Sequence, residues 1–503
     1  MLGASLHDIL TRLKAEPQRF PKLDVAYDPS TPVTEPIILN LPSNGLRLRF
    51  DGPEQRLRLV EIVDFTKNKI TYKDREVLKS TSNAHTSSSI PTETLSGPTF
   101  KYVYKSLIGP AYPGEYIEPD VEDSMRMGTY VLSYPGIAFS FPMHSSAWSP
   151  GKDMVSLLSS SAVYVAASMA IFSGSTWSDA RDILYTQPLE ALKTFAAFSK
   201  SREHVPEEVG VVRIYGEGSL ELVRPTATSP LWIQLGETTP QELVAELGPP
   251  DAIYRKNDQR MSIHKNRAAS GTHPRPDPSD FRQDDSTDTD QSSAHTTTDD
   301  SEEDDEDGEV AGNVSGECFY NYFYHGFDIL LSTPTAPSQR PPCKERSNPS
   351  STYNTPADAP SQLVATKFVL HGNVPGSYPF NRHRRCRWDI EYLNAPGGRA
   401  INSETPFGEV EKHLHEEWKS IYKNADEAKS RQRGMVLNRD WGDSPGSSCE
   451  LLGGWEDSDH GKRIATSGGG DSTKGLGNTT LFGFPGLVFE VLKNGTVSGL
   501  TVF

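Results

Sequence analysis

The chain has 503 residues, 35% of them hydrophobic, and a formal net charge of −17, which gives length for two to three domains and apolar content for real cores. The charge is concentrated: residues 277–309 hold 15 acidic groups against the single basic Arg282, and removing that run's net −14 leaves −3 elsewhere. A nearly neutral folded part excludes the basic surface that nucleic-acid binding requires, so no nucleic-acid partner is expected.

Met1-Leu-Gly-Ala-Ser5 has neither the charged nor the apolar region of a signal peptide. Ser5 and Asp8 stand at capping-box spacing before an apolar stripe of Leu6, Ile9, Leu10 and Leu13, which predicts a short amphipathic helix. Strands are expected near 37–41, 45–50, 57–63 and 69–72, with Asp51-Gly52-Pro53 as a turn. Residues 73–97 are Ser/Thr-rich and read as a loop. Strands resume at Thr99–Tyr104, 129–133, 136–141 and 162–172. The uncharged stretch 154–178 is interrupted by serines, so no transmembrane segment is expected. A helix over 186–201 and a hairpin over 210–223, around Gly216 and Gly218, follow.

A second capped helix is predicted after Leu235-Gly236: Thr239 as N-cap, Pro240 at the first helical position, Glu242 closing the box and Gly248 as the stop. Strands are then expected near 252–264, 317–331 and 363–371, the last continuing into 384–391. Two insertions, acidic 266–312 and Pro/Ser-rich 333–361, bury too little apolar surface to offset chain entropy and are expected to be disordered. Thr405-Pro406 opens a third helix through Val410, Leu414 and Trp418, residues 423–478 form a Gly/Ser-rich linker, and 480–502 close the chain as a hairpin on the Asn494-Gly495 turn.

One unit occurs four times. Gly45, Gly136, Gly326 and Gly486 are each followed by apolar residues at one, three and five positions on, and each is preceded four positions earlier by Leu41, Leu132, Tyr322 or Phe482. A glycine between two alternating strands supplies positive φ for a turn or bulge. Asn44-Gly45 fits a tight two-residue hairpin, whereas Pro135-Gly136 and Pro485-Gly486 fit it poorly and suggest a bulge or wider turn. The expected fold class is α+β, with repeated antiparallel meanders each preceded by a short capped helix. Three parts are expected: 1–225, 226–400 with both insertions, and 401–503.

Catalytic signatures are missing. No Gly-x-Ser-x-Gly, His-Glu-x-x-His or Gly-x-Gly-x-x-Gly occurs, and Gly468–Lys474 lacks the order of a phosphate-cradling loop. His413 and His415 would face different directions on a helix, so no shared metal ion is expected there. The four cysteines, Cys318, Cys343, Cys386 and Cys449, are too scattered for a disulfide framework or paired zinc spacing. His371, His383 and Cys386 invite a cysteine-hydrolase reading, but Cys386 alternates with Trp388 and Ile390 as a core residue on a strand does. Pro375, Gly376, Tyr378, Phe380, Arg382, Arg384 and Arg385 combine a turn, two aromatics and guanidinium groups, a composition enriched in docking surfaces. Ser301, followed by Glu302, Glu303 and Asp304, offers an acidophilic kinase a regulatory site.

Leu39-Asn-Leu41 with Gly45–Asp51 and Gln55-Arg-Leu57, Gly109-Pro110 with Tyr112–Tyr116, Tyr134–Phe141, Leu247-Gly248 with Pro250, and His371–Cys386 together resemble the phagosome (phagophore) assembly factor family. The departures are the two insertions and an N-terminus lacking the strand that precedes the first helix in relatives, which raises the expectation of a truncated reading frame. What the resemblance implies is a non-enzymatic cytoplasmic protein, without catalytic residues or cofactors, that forms a complex with a WD40 β-propeller protein and is recruited to the phagophore. The propeller partner would read the phosphoinositide membrane, and a role in vesicle traffic at the trans-Golgi network is the alternative attached to the family.

Overall fold

The computed structural model describes residues 1–78, 97–110, 114–119, 127–149, 165–186, 207–225, 229–255, 316–334, 362–394, 400–424, 427–428, 430, 432–437 and 478–503. Helix α1 (Leu6–Ala15) starts where the Ser5 hydroxyl accepts the Asp8 N–H at 3.1 Å, and it buries Leu6, Ile9, Leu10 and Leu13. Their spacing places them on one helical face, which packs on strands β2 (Ile37–Leu41), β3 (Leu46–Phe50) and β4 (Leu57–Ile62). Strand β1 (Asp24–Ala26) pairs with β2 at the sheet edge. A small hairpin, β5 (Thr71–Tyr72) and β6 (Arg75–Glu76), and helix α2 (Phe100–Tyr102) precede β7 (Glu115–Ile117), β8 (Met127–Tyr134), β9 (Ile137–His144) and β10 (Ser168–Ile171). These strands make one eight-stranded antiparallel sheet in the order β1-β2-β3-β4-β10-β9-β8-β7. Helix α3 (Trp177–Ile183) puts Ala180 against Leu59, Val131, Ala138 and Phe172.

The second part begins with β11 (Val211–Gly216), β12 (Ser219–Val223) and β13 (Leu231–Gln234). Helix α4 (Pro240–Leu247) carries the expected box, Thr239 and Glu242 each bonding the other's backbone, and Gly248 stops it at φ +79°. Then come β14 (Ala252–Arg255), β15 (Cys318–Tyr322), β16 (Phe327–Ser332), β17 (Val364–His371), β18 (Arg387–Ile390), helix α5 (Phe407–Glu417), β19 (Met435–Leu437), β20 (Thr479–Phe484), β21 (Leu487–Leu492) and β22 (Val497–Val502). The second large sheet runs β14-β15-β16-β17-β22-β21-β20-β19, so it takes strands from both sides of residue 401. A four-stranded sheet, β13-β12-β11-β18, joins its core through Val212, Ile214, Leu220, Leu222 and Ile233. The architecture is α+β.

The two large sheets share one topology: a four-stranded meander whose fourth strand pairs with the fourth strand of a second meander. All four repeat glycines occupy the turn between the second and third strands of a meander, with φ of +60° to +86°. Each glycine carbonyl accepts an N–H from the last residue of, or the residue just beyond, the fourth strand of its own meander: Val63 to Gly45 at 2.9 Å, and Phe172 to Gly136, His371 to Gly326 and Phe503 to Gly486, each at 3.0 Å. The sequence unit is therefore a fastening that holds a hairpin tip to its neighbour.

Several local expectations are corrected. Pro135-Gly136 and Pro485-Gly486 are the two-residue turns, with Tyr134 opposite Ile137 and Phe484 opposite Leu487, while Asn44-Gly45 ends a four-residue turn between Leu41 and Leu46. Pro at the first turn position and Gly at the second suit a turn that needs positive φ only at the second. Thr99–Tyr104 is helical, not extended, because Thr99 caps Tyr102 N–H and Phe100, Val103 and Leu107 recur at helical spacing into the core. Strand β17 stops at His371, and Gly372–Cys386 forms turns before β18, which lies in a different sheet, parallel to β11. Residues 75–76 and 435–437 are short strands where a loop and a linker were expected. All but the first residue of the predicted helix 186–201, the insertion 266–312 with Ser301, and all but the first two residues of the insertion 333–361 lie outside the described residues.

Gly326 and Gly136 separate two effects of glycine. Both have positive φ, but a Cβ on Gly326 would overlap Arg384 O, whereas one on Gly136 meets Phe172 O at an ordinary 3.5 Å. Gly136→Ala is expected to cost roughly 1 kcal/mol from backbone strain alone, and Gly326→Ala roughly 3 kcal/mol or more from added displacement. Urea midpoints of the two variants check this, and equal losses would refute it.

Candidate functional site

The segment Gly372–Cys386 clasps the first large sheet to the second. Gln55, in the β3–β4 turn, and Asn373 both take left-handed backbone, at φ +52° and +45°. Their buried amides pair, Gln55 Nε2 donating to Asn373 O at 2.9 Å and Asn373 Nδ2 to Gln55 Oε1 at 2.8 Å. Arg385 is buried and donates to Pro53 O at 2.8 Å, Gly372 O at 2.7 Å and Glu404 Oε1 at 3.1 Å. Arg387 also bonds Glu404, at 3.0 and 3.3 Å. Arg384 meets Glu208 at 2.6 Å, stands over the Tyr324 ring at 4.9 Å, and shares Glu208 with Arg56. Burial, with Arg384 close by, pushes the Arg56 guanidinium down to about 9.

These positions correct the expected docking surface. Phe380 enters the α1 core, Arg384 and Arg385 are buried with partners, Pro375 is buried, and Gly376 lies under the Tyr27 hydroxyl. Tyr378 is half-buried, and Arg382 alone of the seven is exposed. Arginines and aromatics that suit an interface also suit an internal one, and composition cannot distinguish the two.

At the inner end of the clasp, three residues meet that the fold brings from separate elements. Asp328 is the second residue of β16, His371 the last of β17, and His383 lies within the clasp. Asp328 Oδ2 is 2.8 Å from His371 Nε2 and Oδ1 is 3.0 Å from His383 Nε2, while the two imidazoles stack at 3.7 Å with 14° between planes. Burial raises the Asp328 carboxyl, but the two imidazole hydrogen bonds more than offset this and hold it well below the usual carboxylate range. Burial pushes His383 down to about 4 against the pull of Asp328. The three donor atoms lie within 4.8 Å of one another. Cys386 is not a fourth member: burial pushes its thiol up to about 12, and Sγ faces Arg387 O at 3.8 Å. The core reading of Cys386, Trp388 and Ile390 holds, all three being buried.

Both histidines stand in the segment that the sequence singles out, but Asp328 is not identifiable as their partner from spacing. A signal was present in the repeat. Two residues after the four glycines stand Arg47, Ala138, Asp328 and Val488, and only Asp328 is acidic.

The model of the family phagosome assembly factor 1 matches residues 1–281 and 358–503, which take in the first large sheet, six of the eight strands of the second, the clasp, and His371 and His383 of the cluster, while β15 and β16 with Asp328 fall between the two matched stretches. The chain belongs to the phagosome assembly factor 1 family. It is 25% identical to a PHAF1 protein of Arabidopsis thaliana over all of this chain and 89% of that protein. A PHAF1 protein of Drosophila melanogaster is 21% identical over all of this chain and 90% of its own length, and one of Caenorhabditis elegans 22% over 78% and 74%. No solved structure matches the chain. The unmatched residues 282–357 contain most of the acidic run, nearly all of the Pro/Ser-rich segment, and the two strands β15 and β16 that lie between them. Membership supports an autophagy-related role. Among the described residues, no helix is long and apolar enough to cross a membrane.

Two measurements test the clasp. Arg385→Ala removes the donor of three carbonyls and one of the two guanidinium partners of Glu404, which keeps Arg387, so unfolding in urea should show a loss of roughly 3 kcal/mol, the lower end of the range for breaking a buried ion pair. His325, stacked on Phe327, is pushed by burial from 6.5 to about 4. Its folded state stays neutral while the unfolded chain takes up a proton below 6.5, so its contribution is complete above that pH and is lost as pH falls towards 4. Tm should drop through this window, and His325→Phe should make the drop shallower. A parallel drop in both proteins would exclude His325 as the cause.

Proposed function

We propose that this chain is a non-enzymatic assembly factor that forms a complex with a WD40 β-propeller protein and reaches the phagophore through the phosphoinositide contacts of that partner. The observation that carries this reading is the family match over 1–281 and 358–503, which includes every described element from α1 to β22 except β15 and β16. The fold is consistent with it. Its buried arginines are spent on internal carboxylates and carbonyls rather than gathered into a basic lipid-facing surface, so membrane recognition is assigned to the partner. The clasp ties both large sheets into one body, which suits a factor that presents a fixed surface to another protein.

Affinity purification of the tagged full-length chain from starved cells, with mass spectrometry, tests the reading. A propeller protein should be enriched, the chain should gather in puncta on starvation, and removal of the propeller should abolish the puncta. Puncta that persist without any propeller protein would count against it.

A further inference from the structure

We propose that Asp328, His371 and His383 form a binding site for a divalent transition metal ion of the zinc class, and that the ion fastens the clasp to the second large sheet. Two imidazole nitrogens and a carboxylate oxygen are the donor set of zinc sites that keep an open position and of related iron(II) sites. Here the three donor atoms already converge within 4.8 Å, from β16, β17 and the clasp.

The fold itself does not require this chemistry. The same hairpin fastening is built four times, and the residue giving its N–H to the repeat glycine is Val63, Phe172, His371 or Phe503. The residue two after the glycine is Arg47, Ala138, Asp328 or Val488. Three fastenings hold without a carboxylate–imidazole pair, and the only one with it also receives a third donor, His383, from the clasp. Such a concentration of ligand types at one of four equivalent places points to a ligand rather than to folding.

Metal entry requires one rearrangement. The rings lie face to face, so an ion in the lone-pair direction of both needs them to fan apart. His371 can turn, because it ends its strand and its side chain is 19% exposed. His383 Nδ1 is buried without a hydrogen-bond partner, so movement of that ring breaks only the bond to Asp328, which the ion replaces. Each neutral imidazole carries its proton on Nδ1 while Nε2 takes the ion, and the Asp328 carboxylate supplies negative charge. Because the ion binds the folded chain and links β16 and β17 to the segment bearing Arg384 and Arg385, it should raise Tm with metal concentration.

The test uses the full-length chain stripped of metal by a chelator and titrated with Co²⁺, then Zn²⁺. One Co²⁺ should bind per chain with a visible d–d absorption band, Zn²⁺ should displace it, and Tm should rise. Asp328→Asn, which keeps the side chain's shape, and His371→Gln should each weaken binding at least tenfold, while His413→Gln, at an exposed position of α5, should not. X-ray absorption on the unaltered chain should report two imidazoles and oxygen ligation, a readout independent of how any variant folds. No uptake, or an absorption spectrum without two imidazoles, would overturn the proposal and leave the cluster a hydrogen-bonded network alone. Uptake equal in the variants would likewise overturn it by placing the metal elsewhere.

Discussion

Arg385 is the constraint around which the two large sheets are joined. A guanidinium held away from water is costly unless its donors are met, and here Pro53 O, Gly372 O, Ser403 O and Glu404 meet them. Those partners belong to the β3–β4 turn, the start of the clasp and the loop before α5, so satisfying one side chain fixes three separate pieces of backbone. The neighbouring Gln55–Asn373 amide pair and the Arg56–Glu208–Arg384 triad repeat the device with other groups. Specific polar partners, rather than an extended apolar seam, determine how one sheet meets the other.

Within each sheet the governing unit is the glycine fastening. Positive φ lets the hairpin tip turn its carbonyl towards a neighbouring strand, and the N–H from beyond that strand completes the ladder. The same solution at Gly45, Gly136, Gly326 and Gly486 ties the second hairpin of each meander to the end of that meander's fourth strand, the strand through which the two meanders of each sheet pair. Departures from the pattern are informative. Gly326 alone supports the clasp directly, with Arg384 O against its Cα and Asp328 two residues on.

Much of this was legible in the sequence, because it rests on local rules. The Ser5 and Thr239 caps, the Gly248 stop and the alternating strands on each repeat glycine follow from spacing that short-range geometry enforces. What escaped depends on distant partners. Thr99–Tyr104 has strand-forming residues, yet its cap and its burial of Phe100 and Val103 make a helix. Strand β18 has an ordinary strand composition, but nothing in it tells that it pairs in parallel with β11 rather than continuing β17. At the site, His371, His383 and the arginines stood out as unusual, yet their direction, inward, is set by Asp328, Glu208, Glu404 and the Pro53 carbonyl, which lie up to 332 residues away along the chain.

That separation has a consequence for synthesis. Gln55 and the Pro53 carbonyl wait for Asn373 and Arg385, more than three hundred residues later, and the α1 core waits for Phe380. At a translation rate of about 5–20 residues per second, the amino-terminal sheet is on the ribosome for tens of seconds with part of its core uncovered and its clasp-side polar groups bonded only to water. The chain is thus exposed to chaperones in that interval as a half-built unit, and a longer or shorter insertion between the halves alters the waiting time more than the closure entropy, which grows only logarithmically with loop length.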